Sequence, residues 1–341
     1  MEAIYEFLDY ARKEFGLEFP GNIDVSGKQK RYKMKGDKGA SKSGFVTFYL
    51  DSNPMAVFGC WKTHGKATFK WYFRNQNELS TKERKEHAKI MRERQEASRI
   101  ADAKRKHAAA VKAGELWSLP DIGGINFPYL SNKKCGAYGV KFYDNQTAFE
   151  YFASDERKEK LANGEIEVYP GSIMVVPVQN ASGQLVSLQQ VSSNGKFKGF
   201  LPNGSKKGCF HVIHGDDSIV FVAEGYATAA TIHELTGCTV YVSFDCGNLM
   251  DVSMMVASKH PQSVKIVASD NDRFTLAPIN NPGQKKAIEI CSKLGFYNLK
   301  PDFHDGQEGT DWNDLLLYYP FETVKNYAMK KLQVLFDTYD L

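Results

Sequence analysis

At 341 residues, 42 % hydrophobic and 25 % charged, the chain has the composition of a folded protein of about two domains, which excludes disordered, fibrous and collagen-like chains. No apolar run approaches the roughly 20 residues of a membrane span, and the opening MEAIYEFLDYARKEFG lacks the basic-then-apolar order of a secretory signal, so a cytoplasmic protein with no membrane partner is expected. Charge is unevenly divided: residues 1–113 carry 24 Lys and Arg against 14 Asp and Glu, and the remainder 20 against 26, a pattern that suits a polyanion held at the front and cations gathered at the back.

Residues 1–18 space Ile4, Phe7, Leu8 and Ala11 at helical intervals before Gly16 and Pro20 stop the pattern, which predicts a short amphipathic helix. Residues 26–75 read as β-hairpins through FVTFYL (45–50), MAVFGCW (55–61) and ATFKWYF (67–73), with eleven cations against two acids. A single-strand nucleic-acid binder combines cations for phosphates with aromatic faces for bases. Lys30, Arg31, Lys33 and Lys35 are the candidate phosphate contacts and Trp71 the candidate stacking residue. Strand alternation sends about half the aromatics into a core, so ordinary solvated charge is the competing reading.

From Glu78 to about Ala113 the chain is charged, rich in Ala and free of Gly and Pro, which predicts one long helix, with Glu78–Lys82 and Asp102–Lys106 as supporting pairs. Its apolar residues are too sparse for a heptad seam, so it reads as a solvated connector. Residues 119–214 turn β-rich, a meander through SIMVVPV (172–178), LVSLQQV (185–191) and KFKGFL (196–201). Lys196, Lys198, Lys206 and Lys207 sit in its Gly-rich turns, either to hold a triphosphate or template backbone or as a solvated hairpin.

Past Ser218 strands and helices alternate, which predicts a parallel sheet covered on both faces. Reactive groups in such sheets gather at the carboxyl ends of the strands. Glu224 stands there in VFVAEGY, Asp270 and Asp272 in IVASDNDR, and Asp311 and Asp314 in GTDWNDLL. Asp270 and Asp272, two residues apart on a chain leaving a strand, can aim at one hard cation, Mg²⁺ or Mn²⁺, with Glu224 one strand away as second ligand or proton acceptor. Gly225 is expected to use a positive φ to turn the chain into the next helix. The competing role for each acid is a helix cap, with Asp311 or Asn313 serving the C-terminal helix. The six cysteines form no CxxC pair, and the Cys60–His64 and Cys209–His211–His214 groupings lack a second half-site, so no zinc is expected.

These strings carry a resemblance. EGYATAATIHELTG, VSFDCGNL, ASDNDR, NPGQKKA and GTDWNDL are similar to the Toprim primases of plasmids and phages, and GSIMVVPVQNASGQLVSLQQV with KGFLPNGSKKG is similar to the β-rich half of the primase core that precedes Toprim. The basic hairpins look like the segment at the front of those proteins. The resemblance implies an α/β and α+β chain. A basic β-rich N-terminal domain (1–76) leads through a helical connector (77–118) and the β-rich half of the core (119–214) to a Rossmann-like parallel Toprim sheet (215–341). It implies a nucleotidyltransferase that makes short RNA primers on single-stranded DNA from ribonucleoside triphosphates. Glu224, Asp270 and Asp272 would be catalytic, Asp311 and Asp314 further metal ligands, and Lys285 of NPGQKKA a nucleotide or template contact. A separate replicative helicase or polymerase would be its partner. Many Toprim proteins carry a second carboxylate four residues after the glutamate; here that residue is Thr228. A Toprim nuclease and a non-enzymatic single-strand binder are the alternatives.

Overall fold

The computed structural model describes residues 2–51, 53–65, 67–75, 79–276 and 279–340, and the chain divides into two compact units, residues 1–101 and 102–341. In the first, α1 (Glu2–Phe15) lines up Ala3, Phe7 and Ala11 as a buried stripe. It packs on an antiparallel sheet of β1 (Lys30–Tyr32), β2 (Gly44–Tyr49), β3 (Met55–Cys60) and β4 (Phe69–Tyr72), in that order. Phe7 meets the rings of Phe48, Phe58 and Trp71 at centroid distances of 5.6, 5.1 and 5.7 Å. That packing corrects one expectation. Trp71 is 7 % exposed, a core residue on the face that α1 covers, and it has no ring free to stack on a base. β3 also ends one residue early: Trp61 opens a one-turn helix, α2 (Trp61–His64), and is 45 % exposed.

The long helix forms as α3 (Thr81–Ser118). Glu78 lies outside the described residues, and Asp102 pairs with Arg105 rather than Lys106. Within the first unit Arg94 grips the Asp51 carboxylate and lies 4.9 Å over the Tyr49 ring. In the second unit the helix outruns its expected end at Ala113, because Ala109, Ala113 and Leu116 are buried in a core with Tyr143, Val175 and Leu188.

That second unit holds two sheets. The first is the expected meander, β6 (Ser172–Gln179), β7 (Leu185–Ser192) and β8 (Lys198–Phe200), extended by β5 (Lys141–Asp144). The segment before it is more helical than expected, with α4 (Pro128–Lys133), α5 (Asn145–Phe152) and α6 (Asp155–Ala162). Asp144 caps α5 by accepting from the Thr147 N–H at 2.8 Å, and Ser154 caps α6 through the Arg157 N–H at 3.4 Å.

The second sheet comprises β9 (His211–Ile213), β10 (Asp216–Ala223), β11 (Cys238–Val242), β12 (Val264–Ala268) and β13 (Tyr297–Leu299), ordered β13-β12-β10-β11-β9. Four strands run parallel, but β9 is antiparallel to β11, so the sheet is mixed and not wholly parallel as expected. Strand alternation divides its side chains between two cores. Phe221 and Ala223 face α7 (Tyr226–Thr236) and α10 (Phe321–Tyr339), while Val220 and Val222 face α8 (Cys246–Lys259) and α9 (Pro282–Leu294). Among the described residues no helix is long and apolar enough to cross a membrane.

Candidate metal and nucleotide site

Strand register builds the site. Ala223, the last residue of β10, pairs with Val242 of β11 on one side and Ala268 of β12 on the other, and Ala268 pairs with Leu299 of β13. Four strand ends are therefore level, and the residues that follow them open one crevice at the carboxyl edge of the sheet. Glu224 leaves β10 there. The Cys246 N–H at the start of α8 donates to its carboxylate, but burial first, and the Asp272 charge second, push its pKa up to about 7. Gly225 has φ −105°, and a Cβ there would meet only Thr228 Oγ1 at an ordinary 3.9 Å, so the expected positive φ is not used.

Asp270 and Asp272 follow β12 in a loop held by neutral groups. The Gln284 amide donates to Ser269 Oγ at 2.6 Å, Ser269 Oγ donates to Asn298 Oδ1 at 2.6 Å, and the Asn281 amide donates to Asn271 Oδ1 at 2.9 Å. Asp272 Oδ2 accepts the Gly283 N–H at 3.0 Å in the first turn of α9. A Cβ on Gly283 would lie 2.7 Å from the Asp270 carbonyl and 3.0 Å from Asp272 Oδ2, so this position must be glycine for the loop and helix to approach so closely. Asp270 Oδ1 is buried without a hydrogen-bond partner. Burial, followed by the charges of Asp311, Glu224 and Asp272, raises its pKa well above the usual carboxylate range.

The third acidic segment is pinned by its own middle residues. Trp312 is fully buried with its indole N–H on the Leu299 carbonyl at 3.0 Å, and the Asn313 amide reaches the Lys133 carbonyl and Thr231 Oγ1 at 2.6 and 2.9 Å. Asp311 and Asp314 flank that anchor. Asp311 Oδ1 accepts from the Asp314 N–H at 2.9 Å, the first N–H of a 3-10 turn (Asp314–Leu317) whose N-cap is Asn313, and neither residue caps α10, whose start has no side-chain cap. Asp314 spends one oxygen on the Thr310 N–H at 3.0 Å and the other on Lys133 at 3.2 Å. Burial draws the Lys133 pKa down, but Asp311 and Asp314 outweigh it and hold the ammonium above its ordinary value. Among the described residues no three Asp, Glu, His or Cys side chains are already gathered closely enough to hold a metal ion.

The expected lysines divide. Lys198 is exposed as a residue but reaches over the Tyr129 ring at 5.4 Å, where partial loss of water and Lys133 lower its pKa while Asp311, Asp270 and Glu224 oppose them, so its ammonium shares the crevice with the acids. Lys206 is ion-paired to Asp245, the N-cap of α8, and lies over Phe200. Lys196, Lys207 and Lys285 are exposed. Lys133 had no sequence signal beyond its charge, and the Ser269, Asn271, Gln284 and Asn298 network had none, because neutral groups become recognisable only once β12, β13 and α9 lie side by side.

Residues 219–318 match the Toprim domain family. This part of the chain is a Toprim domain. The resemblance seen in the motifs is thereby borne out, and it extends beyond the Toprim residues. The chain is 28 % identical over 293 residues to DNA primase TraC of Escherichia coli, covering 83 % of this chain and 25 % of that protein. A second DNA primase TraC of Escherichia coli is 28 % identical over 290 residues, 82 % of this chain and 18 % of its own. The chain thus spans a quarter or less of the length of these curated relatives. Among solved structures, the DnaG catalytic core aligns with a TM-score of 0.38 at 12 % identity over 67 % of this chain and 79 % of that one. The primase fragment of the bacteriophage T7 primase-helicase protein aligns at 0.33 and 17 %, over 47 % and 61 %.

Proposed function

We propose that this chain is a DNA primase of plasmid or phage type, which joins ribonucleoside triphosphates into short RNA primers on single-stranded DNA by metal-dependent nucleotidyl transfer. The observation that carries the reading is the Toprim crevice itself, where acids following β10 and β12 and the Asp311 segment perturb one another around a buried carboxylate oxygen left unpartnered among the described residues. The similarity to proteins named DNA primase over most of the chain supports it.

The residues fit a divalent cation on two grounds. Asp270 Oδ1 lacks a partner, and the acids facing the crevice offer carboxylate oxygens, the hard ligand that Mg²⁺ and Mn²⁺ take. Asp270 and Asp272 would hold the ion with Glu224, with the Asp311 charge beside them. Asp314 has both oxygens engaged, so its role in this reading is to hold Lys133 at the rim and not to bind metal. A bound cation would neutralise charge on the triphosphate and on the departing pyrophosphate. Lys133 and Lys198 are the ammonium groups beside the acids and would bind triphosphate oxygens. Glu224, poised near neutrality, can take a proton from the attacking hydroxyl or complete the metal site.

Incubation with single-stranded DNA, Mg²⁺ or Mn²⁺ and labelled ribonucleotides tests the reading. Short labelled oligomers support it; shortened DNA would mean a nuclease, and a mobility shift alone a binding protein. Glu224→Gln keeps shape and loses basicity, so synthesis should fall by about 10²–10⁴-fold while affinity for DNA stays near wild type. Equal losses of binding and synthesis would make Glu224 structural.

A further inference from the structure

The sheet of the first unit has two faces, and α1 covers only one. On the other, cross-strand register puts Arg31 opposite Phe45 and Phe45 opposite Gly59. The Phe45 ring lies across Gly59, where a Cβ would come within 2.8 Å of it, so the missing side chain is what lets that ring lie flat and buried. Phe45 in turn holds the Trp61 ring edge-on, at 5.6 Å between centroids and 69° between planes. Arg31 lies 4.7 Å from the Trp61 ring centroid. At the far end of the same face α3 closes the sheet, with Arg94 over Tyr49 and His87 against Tyr72. Among the described residues no helix of the first unit covers the Arg31–Phe45–Trp61 end in this way, and Trp61 is 45 % exposed although Phe45 fixes its ring from beneath.

Charge identifies the occupant. Arg31, Lys33, Lys35 and Lys62 are all exposed along this end, while Lys30, opposite Val46, belongs to the face that α1 covers. Of the acids nearby, Asp24 pairs with Lys30 at 3.7 Å, and Asp37 is turned inward, its Oδ2 accepting from the N–H groups of Met34 and Ser43 at 2.9 Å each. An exposed aromatic ring with the Arg31 guanidinium over one face, set among these cations, matches a chain of phosphates whose bases are free to stack. A duplex satisfies the cations but withholds its base faces.

We propose that Trp61, oriented by Phe45 and flanked by Arg31, is a base-stacking platform for single-stranded DNA on the open face of the N-terminal sheet. The proposal rests on the reading of the chain as a primase only in taking the ligand to be template DNA, and binding is measured without synthesis so that the two can fail separately.

The test uses the full chain and a fluorescein-labelled dT20, with anisotropy read from 50 to 400 mM NaCl and a 20-base-pair duplex as comparison. Trp61→Ala should weaken dT20 binding about 5- to 100-fold at every salt concentration without changing the log–log salt slope, and should affect the duplex far less. Trp61→Phe should recover most of the affinity. Arg31→Gln should lower the slope by about 0.7, the share of one phosphate on a single strand. Wild-type affinity in Trp61→Ala overturns the platform, as does an equal loss on dT20 and duplex. Absence of primer synthesis together with Trp61-dependent binding would count against the primase reading and leave the platform standing.

Discussion

Asp270 carries the sharpest consequence at the scale of a single residue. Its buried, unpartnered oxygen among like charges costs folding free energy, so Asp270→Asn should leave the metal-free protein as stable as wild type or about 1 kcal/mol more stable in urea melts with EDTA at pH 7.5, while abolishing synthesis. Mg²⁺ should raise the melting temperature of wild type and leave that of the variant unmoved. A destabilised variant that still responds to Mg²⁺ would remove Asp270 from the metal site. His211 makes the opposite case, a titratable group with a structural task. It is buried in β9 with Nε2 on the Tyr138 carbonyl at 2.9 Å, and burial lowers its pKa to about 4. The unfolded chain takes up this proton as pH falls through about 6.5 and the folded chain not until about 4, so the folded state loses stability across that window, by at most ~3 kcal/mol. The raised carboxylates of Asp270 and Glu224 work in the other direction, because protonation relieves them. The readout is therefore the difference between wild type and His211→Gln in urea midpoints from pH 7.5 to 4.5, which should narrow as the pH falls.

Between elements, the close approach of α9 to the loop after β12 is set by one missing methyl group. Gly283→Ala puts a Cβ 2.7 Å from the Asp270 carbonyl, and either the helix or the loop must move. A cost of about 1–3 kcal/mol and a weakened Mg²⁺-induced rise in melting temperature are expected, measured in the same melts. An unchanged response to Mg²⁺ would show that the acids tolerate displacement. This scale also explains what could be read from the sequence and what could not. The parallel strands, with Glu224 and Asp270, were legible because each signal is local, an apolar run followed within two residues by a carboxylate. α5 and α6 were missed although their capping residues Asp144 and Ser154 stand in the sequence, because the β-rich surroundings masked them. Trp71 and Trp61 could not be told apart. Both are aromatics in basic hairpins, and which ring stays outside depends on the face α1 covers, a contact made by Phe7 from more than fifty residues away. β9 was assigned to the preceding meander for the same reason, since pairing with β11 is invisible until both strands exist.

For the whole molecule, the division into two units separates two tasks in the proposed reaction. A fragment of residues 102–341 should fold, keep its Mg²⁺-dependent rise in melting temperature, and bind single-stranded DNA more weakly with a shallower salt dependence than the full chain, by about 0.7 in log–log slope for each phosphate that the first unit had neutralised. Full affinity and an unchanged slope in that fragment would place the whole template surface in the second unit. The level ends of β10, β11 and β12 have a different consequence, for how such proteins are found. The acids meet because Ala223, Val242 and Ala268 stand side by side, so the number of residues between Glu224 and Asp270 has no bearing on the chemistry. Any intervening length that lets the strands pair in this register would serve, whatever its helices and loops contain. A search keyed to fixed gaps between acids will pass over distant members of this architecture, whereas one keyed to a carboxylate within two residues of the end of each apolar strand will recover them.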